Sequence, residues 1–123
     1  MTSRSYRDLE VWREAMDLVV HCYQLTKGFP GDEKFGLAGQ LQRAAASIPA
    51  NIAEGQGRQY DKEFPHHLSI AYGSLAEAET HIQIARRLSY IDSETENRVL
   101  ERTGRIGRML NGLRESIQDR VNR

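Results

Sequence analysis

Apolar residues recur every three or four positions in four segments of the chain, and this spacing constrains the fold more than any other feature. Such a spacing places the apolar side chains on one face of an α-helix. We predict helices over residues 6–27, 33–55, 62–89 and 94–120. No segment alternates with period two, so no strand is predicted. The expected fold is all-α, an antiparallel up-and-down four-helix bundle.

The apolar stripes also predict the core. The first helix carries two stripes side by side, Leu9, Trp12, Met16, Val19 and Tyr23, and Val11, Ala15, Leu18, Cys22 and Leu25. The other helices carry one stripe each: Leu37, Leu41, Ala44, Ile48 and Ile52; Phe64, Leu68, Ala71, Leu75, Ala78, Ile82 and Ala85; Val99, Thr103, Ile106, Leu110, Leu113 and Ile117. A four-helix monomer needs one apolar face per helix, so the doubled stripe predicts a contact with another subunit.

Turn and capping residues set the predicted helix ends. Glycine and proline at 28–31 separate the first two helices, and Asp32 is expected to cap the second. The remaining end signals are a glycine stop at Gly55 and Gly57, an N-cap at Asp61, and a capping box formed by Ser93 and Glu96.

The composition narrows the classes of protein. The 123 residues suggest a single domain spanning 1–123. Lys+Arg and Asp+Glu are both 17, and this balance argues against a simple polyanion-binding polycation. The charge is uneven, however, because residues 1–85 carry an acidic excess and residues 86–123 a basic one. With one cysteine and neither a signal peptide nor a membrane-spanning apolar run, we expect a cytoplasmic protein without an internal disulfide or membrane contact.

The second helix has an unusual third face made of small residues. Beside its core stripe, this face carries Ala46, Pro49, Ala50, Ala53 and Gly57. An exposed alanine face is favoured by helix propensity, but proline and glycine both cost helix stability. Small side chains let another backbone approach closely. We therefore interpret this face as an oligomer interface.

A polar stripe on the same helix has two interpretations. It consists of Arg43, Ser47, Asn51, Glu54 and Arg58, which fall within a narrow arc of the helical wheel. One interpretation is a satisfied hydrogen-bond network at an interface. The other is a ligand-binding site, since ion-pair networks and binding sites use the same residue types.

These segments resemble a known family. The similarity is carried by YRDLEVW at 6–12, FPGDEKFGL at 29–37, QLQRAAASIPANIAEGQGR at 40–58 and LSIAYGSLAEAET at 68–80. They resemble the four helix bundle protein family, whose members include proteins encoded within intervening sequences of bacterial 23S rRNA genes. The resemblance covers about residues 6–91, and the fourth helix matches only in general character.

The resemblance implies more than the fold. It implies assembly into a homopentameric ring and a fold similar to the accessory protein of diversity-generating retroelements, which binds nucleic acid and a reverse transcriptase. A nucleic-acid role for this chain is thus implied by analogy.

Arginines of the last two helices are the candidate nucleic-acid contacts. Arg98, Arg102, Arg105 and Arg108 follow helical spacing and form one ridge, and Arg86 and Arg87 close the third helix. Arginine binds phosphate with two parallel hydrogen bonds, so such a ridge can follow a nucleic-acid backbone. The alternative is salt bridging to the acidic first helix, through Asp8, Glu10, Glu14 and Asp17. Aromatic residues are not interleaved with the arginines, so base stacking is not supported.

Other chemistry is poorly supported. Glu63, His66, His67, Glu77 and His81 lack the ligand set and second motif that a di-iron site requires. Cys22 lies in an apolar stripe, and no nucleotide-binding or hydrolase motif is present. We expect neither an enzyme nor a metal or cofactor. Two hypotheses remain: an oligomer that binds RNA or other nucleic acid, and a protein-interaction scaffold without nucleic acid.

Overall fold

The computed structural model describes residues 5–58 and 63–121, and these ranges contain four α-helices and no strand. The helices are α1, Glu10–Thr26; α2, Leu37–Arg58; α3, Glu63–Arg87; and α4, Ser93–Val121. Short 3-10 turns at Tyr6–Asp8 and Gly31–Glu33 precede α1 and α2. The predicted all-α four-helix bundle is confirmed.

The helices pack in a closed cycle. Each helix contacts two others, so that α1 and α3 both lie against α2 and α4. The contact between α2 and α3 is the most extensive of the four, and that between α1 and α4 is the least extensive. No helix in the described ranges is long and apolar enough to cross a membrane.

The predicted apolar stripes form the core. The stripes of α2, α3 and α4 are buried except Phe64 and Leu113, which are partly buried. In α1 the stripe from Val11 to Cys22 faces the core, whereas Met16 and Tyr23 of the other stripe are 41% and 47% exposed. The doubled stripe of α1 thus divides into an inner face and an outer face.

The ends of α1 and α2 differ from the prediction. Helix α1 begins at Glu10 instead of residue 6, because Leu9 is extended and the preceding residues form a separate 3-10 turn. Asp32 does not cap α2. That helix begins at Leu37, whose backbone N–H donates to the Glu33 carboxylate at 3.1 Å. The capping group is the neighbouring acid because its longer side chain reaches the first turn of a helix that starts later.

The connection between α3 and α4 also differs. The Ser93–Glu96 capping box is wrong, since Ser93 is already helical and the Asp92 carboxylate accepts from the Thr95 backbone N–H at 2.8 Å. Helix α3 ends at Arg87, and the left-handed residue Ser89, with φ of 63°, follows in the turn. The predicted cap Asp61 lies outside the described residues.

Helix α2 continues through the predicted glycine stop to Arg58. Gly55 is needed for packing, because a Cβ atom there would lie 2.6 Å from the Cβ atom of His67 on α3. Gly57 has open space around it. The first glycine therefore permits a close helix contact, and neither ends the helix.

Candidate nucleic-acid interface

The predicted arginine ridge lies on the side of α4 next to α1 and consists of Arg98, Arg102, Arg105 and Arg108. Arg98 donates to Glu94 at 2.8 Å, within α4 and at the surface. Arg105 donates to Glu14 of α1. Arg102 and Arg108 make no hydrogen bond or ion pair within residues 5–58 and 63–121. Of the four ridge arginines, one, Arg105, therefore forms a salt bridge to α1 within the described residues.

The ridge borders a cavity of about 300 Å³ between α1 and α4. Its lining consists of His21, Arg98, Glu101, Arg102, Arg105 and Arg108. Four arginines and one glutamate give the cavity a strong positive character. Arg102 is half-buried, whereas Arg98, Arg105 and Arg108 are exposed. Arginine forks in a recess are suited to oxyanions such as phosphate.

His21 is the residue of this site that the sequence did not identify. It is half-buried, and its Nδ1 atom is fully buried without a hydrogen-bond partner among the described residues. Burial lowers the pKa of His21, and the charges of Arg102 and Arg98 lower it further. A signal was present, because Glu14 and His21 lie seven residues apart and so on one face of α1.

Arg86 and Arg87 lie apart from this cavity, at the last turn of α3. Arg87 is exposed, whereas the Nε atom of Arg86 is buried without a partner in the described ranges. Arg86 borders an open recess at the turn to α4. Hydrogen bonds from Thr95 lower the pKa of Asp92 in this recess, and the charges of Arg98 and Arg86 lower it further. The structure thus separates Arg86 and Arg87 from the cavity that the ridge lines.

The polar stripe of α2 lies mostly against α3. The hydroxyl groups of Ser47 and Ser74 are 2.8 Å apart, and the Asn51 amide donates to the Ser47 carbonyl at 2.9 Å. The Nδ1 atom of His67 lies 3.4 Å from Asn51 Oδ1 and 4.0 Å from Glu54 Oε2. These contacts form a network between two helices of one chain.

The two ends of that stripe lie outside the network. Arg43 is exposed, and the side chain of Arg58 is outside the described residues. Ser74 and His67 complete the network from α3, and the sequence could not identify them because helix pairing has to be known first.

The outer stripe of α1 and the small-residue face of α2 meet in an apolar groove. Its volume is about 370 Å³, and its lining consists of Tyr6, Trp12, Met16, Val19, Ala46, Pro49, Ala50 and Ala53. Gly57 is exposed and does not line it. Two surfaces that the sequence singled out separately are therefore one continuous surface, which we call the α1–α2 groove.

Other reactive groups are dispersed or buried. No three His, Cys, Asp or Glu side chains of the described residues form a metal-ligand group. Cys22 is fully buried, and burial raises the pKa of its thiol to about 12. At neutral pH such a thiol is protonated and a poor nucleophile.

The fold and these surfaces define a class of protein: a small all-α bundle with an arginine-lined cavity on one side and an apolar groove on another. The family model described as 23S rRNA-intervening sequence protein matches residues 7–112, and the chain belongs to that family. The match includes the whole arginine ridge, so the family likeness extends further into α4 than the sequence motifs indicated.

A solved structure has the same fold. It is a protein of unknown function from the S23 ribosomal protein family of Bacteroides thetaiotaomicron VPI-5482, 25% identical in sequence, with a TM-score of 0.79. The alignment covers 85% of this chain and 95% of that one. Among curated proteins, none matches the chain.

Proposed function

We propose that the chain is a non-enzymatic, self-assembling helical bundle that binds RNA through the arginine ridge of α4. The observation that carries the proposal is the cavity of about 300 Å³, where Arg102 and Arg108 have no carboxylate partner among the described residues. Unpaired arginines bordering a recess are available to phosphate oxygens, each through two N–H donors.

One further observation supports RNA as the ligand: the Bacteroides relative is assigned to a ribosomal protein family. A ridge with two unpaired arginines is a small patch by itself. Assembly into a homopentameric ring, which the family resemblance implies, repeats that patch and multiplies its effective affinity.

A protein-interaction scaffold is the second candidate. It is favoured by the pairing of Arg98 with Glu94 and of Arg105 with Glu14, which removes half of the ridge from phosphate contact. In that case the assembled ring presents a surface to a protein partner and requires no nucleic acid.

Salt-dependent RNA binding separates the two candidates. We would measure fluorescence anisotropy of a structured RNA at several salt concentrations, with the wild-type protein and an Arg102→Gln, Arg108→Gln double variant. Each phosphate contact adds about one unit to the slope of log affinity against log salt concentration. The double variant should therefore bind more weakly and with a slope lower by about two units.

The matched control is Lys27→Gln with Lys34→Gln, which removes two exposed positive charges outside α4. This control should bind RNA almost as the wild type does. If the wild-type protein, folded and assembled, fails to bind at low salt, the RNA proposal is wrong and the scaffold becomes the leading candidate.

A further inference from the structure

Two polar groups of the α1–α4 cavity lack partners although they are partly withdrawn from water. Arg102 is half-buried and makes no hydrogen bond or ion pair in the described part of the chain. His21, across the cavity on α1, has a buried Nδ1 atom that likewise has no partner there. Groups of this kind are normally satisfied in folded proteins, so each unsatisfied one calls for an explanation.

The chemistry of Arg102 and His21 indicates which kind of group would satisfy them. A withdrawn guanidinium without an acceptor is costly, and an oxyanion relieves that cost by accepting its N–H bonds. A neutral imidazole carries one proton. A buried Nδ1 without an acceptor favours the tautomer that carries the proton on Nε2, and this second nitrogen can then donate to an anion.

We infer that this cavity is a binding site for a phosphate monoester group, and that the 5′-terminal phosphate of RNA is its ligand. His21 and Arg102 would hold the phosphate oxygens from opposite helices, with Arg98 and Arg105 at the rim. This inference rests on the proposed RNA-binding function and adds to it, because the arginine ridge alone would bind any phosphodiester backbone.

Charge and shape both favour a terminal phosphate. A monoester carries a charge of about −1.5 to −2 at neutral pH, whereas an internal phosphodiester carries a single charge. Among the described residues that line the cavity, Glu101 is the one acid, so the more highly charged group gains more from the positive lining. A volume of about 300 Å³ is at the small end of ligand pockets and suits a nucleotide end. An internal nucleotide would need more space than a terminal one, because the RNA continues from it in both directions.

His21 supplies a readout that a merely structural histidine would lack. Burial lowers its pKa, and the positive charges of Arg102 and Arg98 lower it further. A bound dianion adds negative charge beside the ring and must raise that pKa. The other charged groups around His21 are Glu101, Arg105 and Arg108 on α4, and Glu14 and Asp17 on its own helix. The rise therefore reports the bound ligand.

The first experiment compares two RNAs of identical sequence, labelled at the 3′ end, with either a 5′-phosphate or a 5′-hydroxyl group. We expect the phosphorylated RNA to bind about tenfold more tightly, the usual scale of one added charge-assisted contact. Arg102→Gln and His21→Leu should each abolish this preference. Arg120→Gln, the same change at an exposed position of α4 eighteen residues away, should preserve it.

The second experiment follows the ring protons of His21 by NMR titration, with and without a nucleoside 5′-monophosphate or inorganic phosphate. We expect the pKa of His21 to rise in wild-type protein and to stay unchanged in the Arg102→Gln variant. The resonances also show whether that variant remains folded.

The outcomes separate the two levels of the proposal. Equal binding of both RNAs with an unchanged pKa of His21 overturns the terminal-phosphate site and leaves RNA binding by the ridge in place. A raised pKa with free nucleotide but no RNA binding supports the phosphate site, makes a free phosphate ester its source, and rejects the RNA-binding function. If neither RNA nor phosphate binds, both proposals are wrong.

Discussion

The turn between α3 and α4 shows how single residues determine where these helices end. Ser89 has a left-handed backbone, and the N–H groups of Ser89 and Tyr90 donate to the carbonyls of Arg86 and Ala85 at 3.1 and 2.9 Å. This pair of bonds is the Schellman motif. The Tyr90 hydroxyl then donates to the Glu33 carboxylate at 2.8 Å and ties the turn to the start of α2.

Replacing Ser89 with glycine should stabilise the protein. A left-handed backbone strains any residue with a Cβ atom, and glycine removes that strain at some cost in unfolded-chain entropy. We expect a gain of about 0.5 to 1 kcal/mol in the free energy of unfolding, measured by urea denaturation. Ser116→Gly, at an exposed position inside α4, should have the opposite effect. Destabilisation by both substitutions would show that the strain at Ser89 is negligible.

The Asp92 cap should make stability depend on pH. Hydrogen bonds from the Thr95 hydroxyl and backbone N–H hold the pKa of Asp92 below its ordinary value of 3.8. A lowered pKa in the folded state stabilises the fold above the unfolded value, and this contribution is lost as pH falls through the folded pKa. In Asp92→Asn, which keeps a capping group, the loss of stability between about pH 5 and pH 3 should be smaller than in the wild type. Identical urea midpoints across that range in both proteins would contradict this prediction.

Residue-level expectations failed mainly at such caps. Asp32 and Ser93 have the right chemistry for a cap, but each has an acidic neighbour, Glu33 or Asp92, that caps instead. Sequence spacing identifies candidates within a turn of the helix start. Spacing does not show which of two adjacent candidates is the cap, because the first residue of the helix is set by tertiary packing.

Among the elements, α2 and α3 form the closest pair. Gly55 lets the two helices approach, and the network of Ser47, Asn51, His67 and Ser74 follows the same contact. Polar groups that are mutually satisfied fix the register of two helices more specifically than apolar contacts do.

Gly55→Ala should therefore be destabilising although alanine favours helices. The added Cβ atom would lie 2.6 Å from His67 Cβ and 3.1 Å from a ring atom of Phe64, so the two helices must separate. We expect a loss of about 1 to 3 kcal/mol in the free energy of unfolding, typical of overpacking. Gly73→Ala is the matched control, since a Cβ atom at that helical position meets nothing within 4 Å. The control should be neutral or stabilising by up to about 1 kcal/mol. Similar thermal midpoints for both variants would show that the contact at Gly55 relaxes easily.

The elements themselves were largely predictable. The apolar spacing predicted all four helices and nearly all of their buried residues. This was possible because the positions of the apolar residues within one helix are enough to identify its buried face. The candidate sites were less predictable from the sequence than the helices. The arginine ridge lies on one helix and was predicted, whereas His21, His67 and Ser74 contribute from a second helix. Their roles depend on which helices become neighbours and in what register.

At the scale of the whole molecule, the α1–α2 groove is the surface through which we propose that the chain self-associates. Met16 and the small residues of α2 leave apolar area open beside Trp12 and Val19. Large contiguous apolar patches on the surface of a protein are typical of interaction sites. The groove is on the α1–α2 side of the bundle and the cavity is on the α1–α4 side, so self-association through the groove leaves the arginines accessible.

Ala50→Arg should disrupt self-association. Ala50 is exposed and lines the groove, and a long charged side chain there blocks close approach of a second copy. We expect wild-type protein to be oligomeric at micromolar concentration by size-exclusion chromatography with light scattering, and the variant to be monomeric. Ala76→Arg, at an exposed position of α3, should retain the native mass. A monomeric wild type, or an Ala50→Arg variant of unchanged mass, would show that the groove is not the contact.

The burial of Cys22 makes its thiol a probe of how often the bundle opens. Its side chain is wholly enclosed and its thiol is protonated, so a disulfide reagent in solution finds no thiolate to react with while the bundle is closed. Cys22 can therefore be labelled only when α1 transiently separates from α2 and α4. The ratio of the labelling rates of folded and unfolded chains therefore measures how rarely that helix detaches.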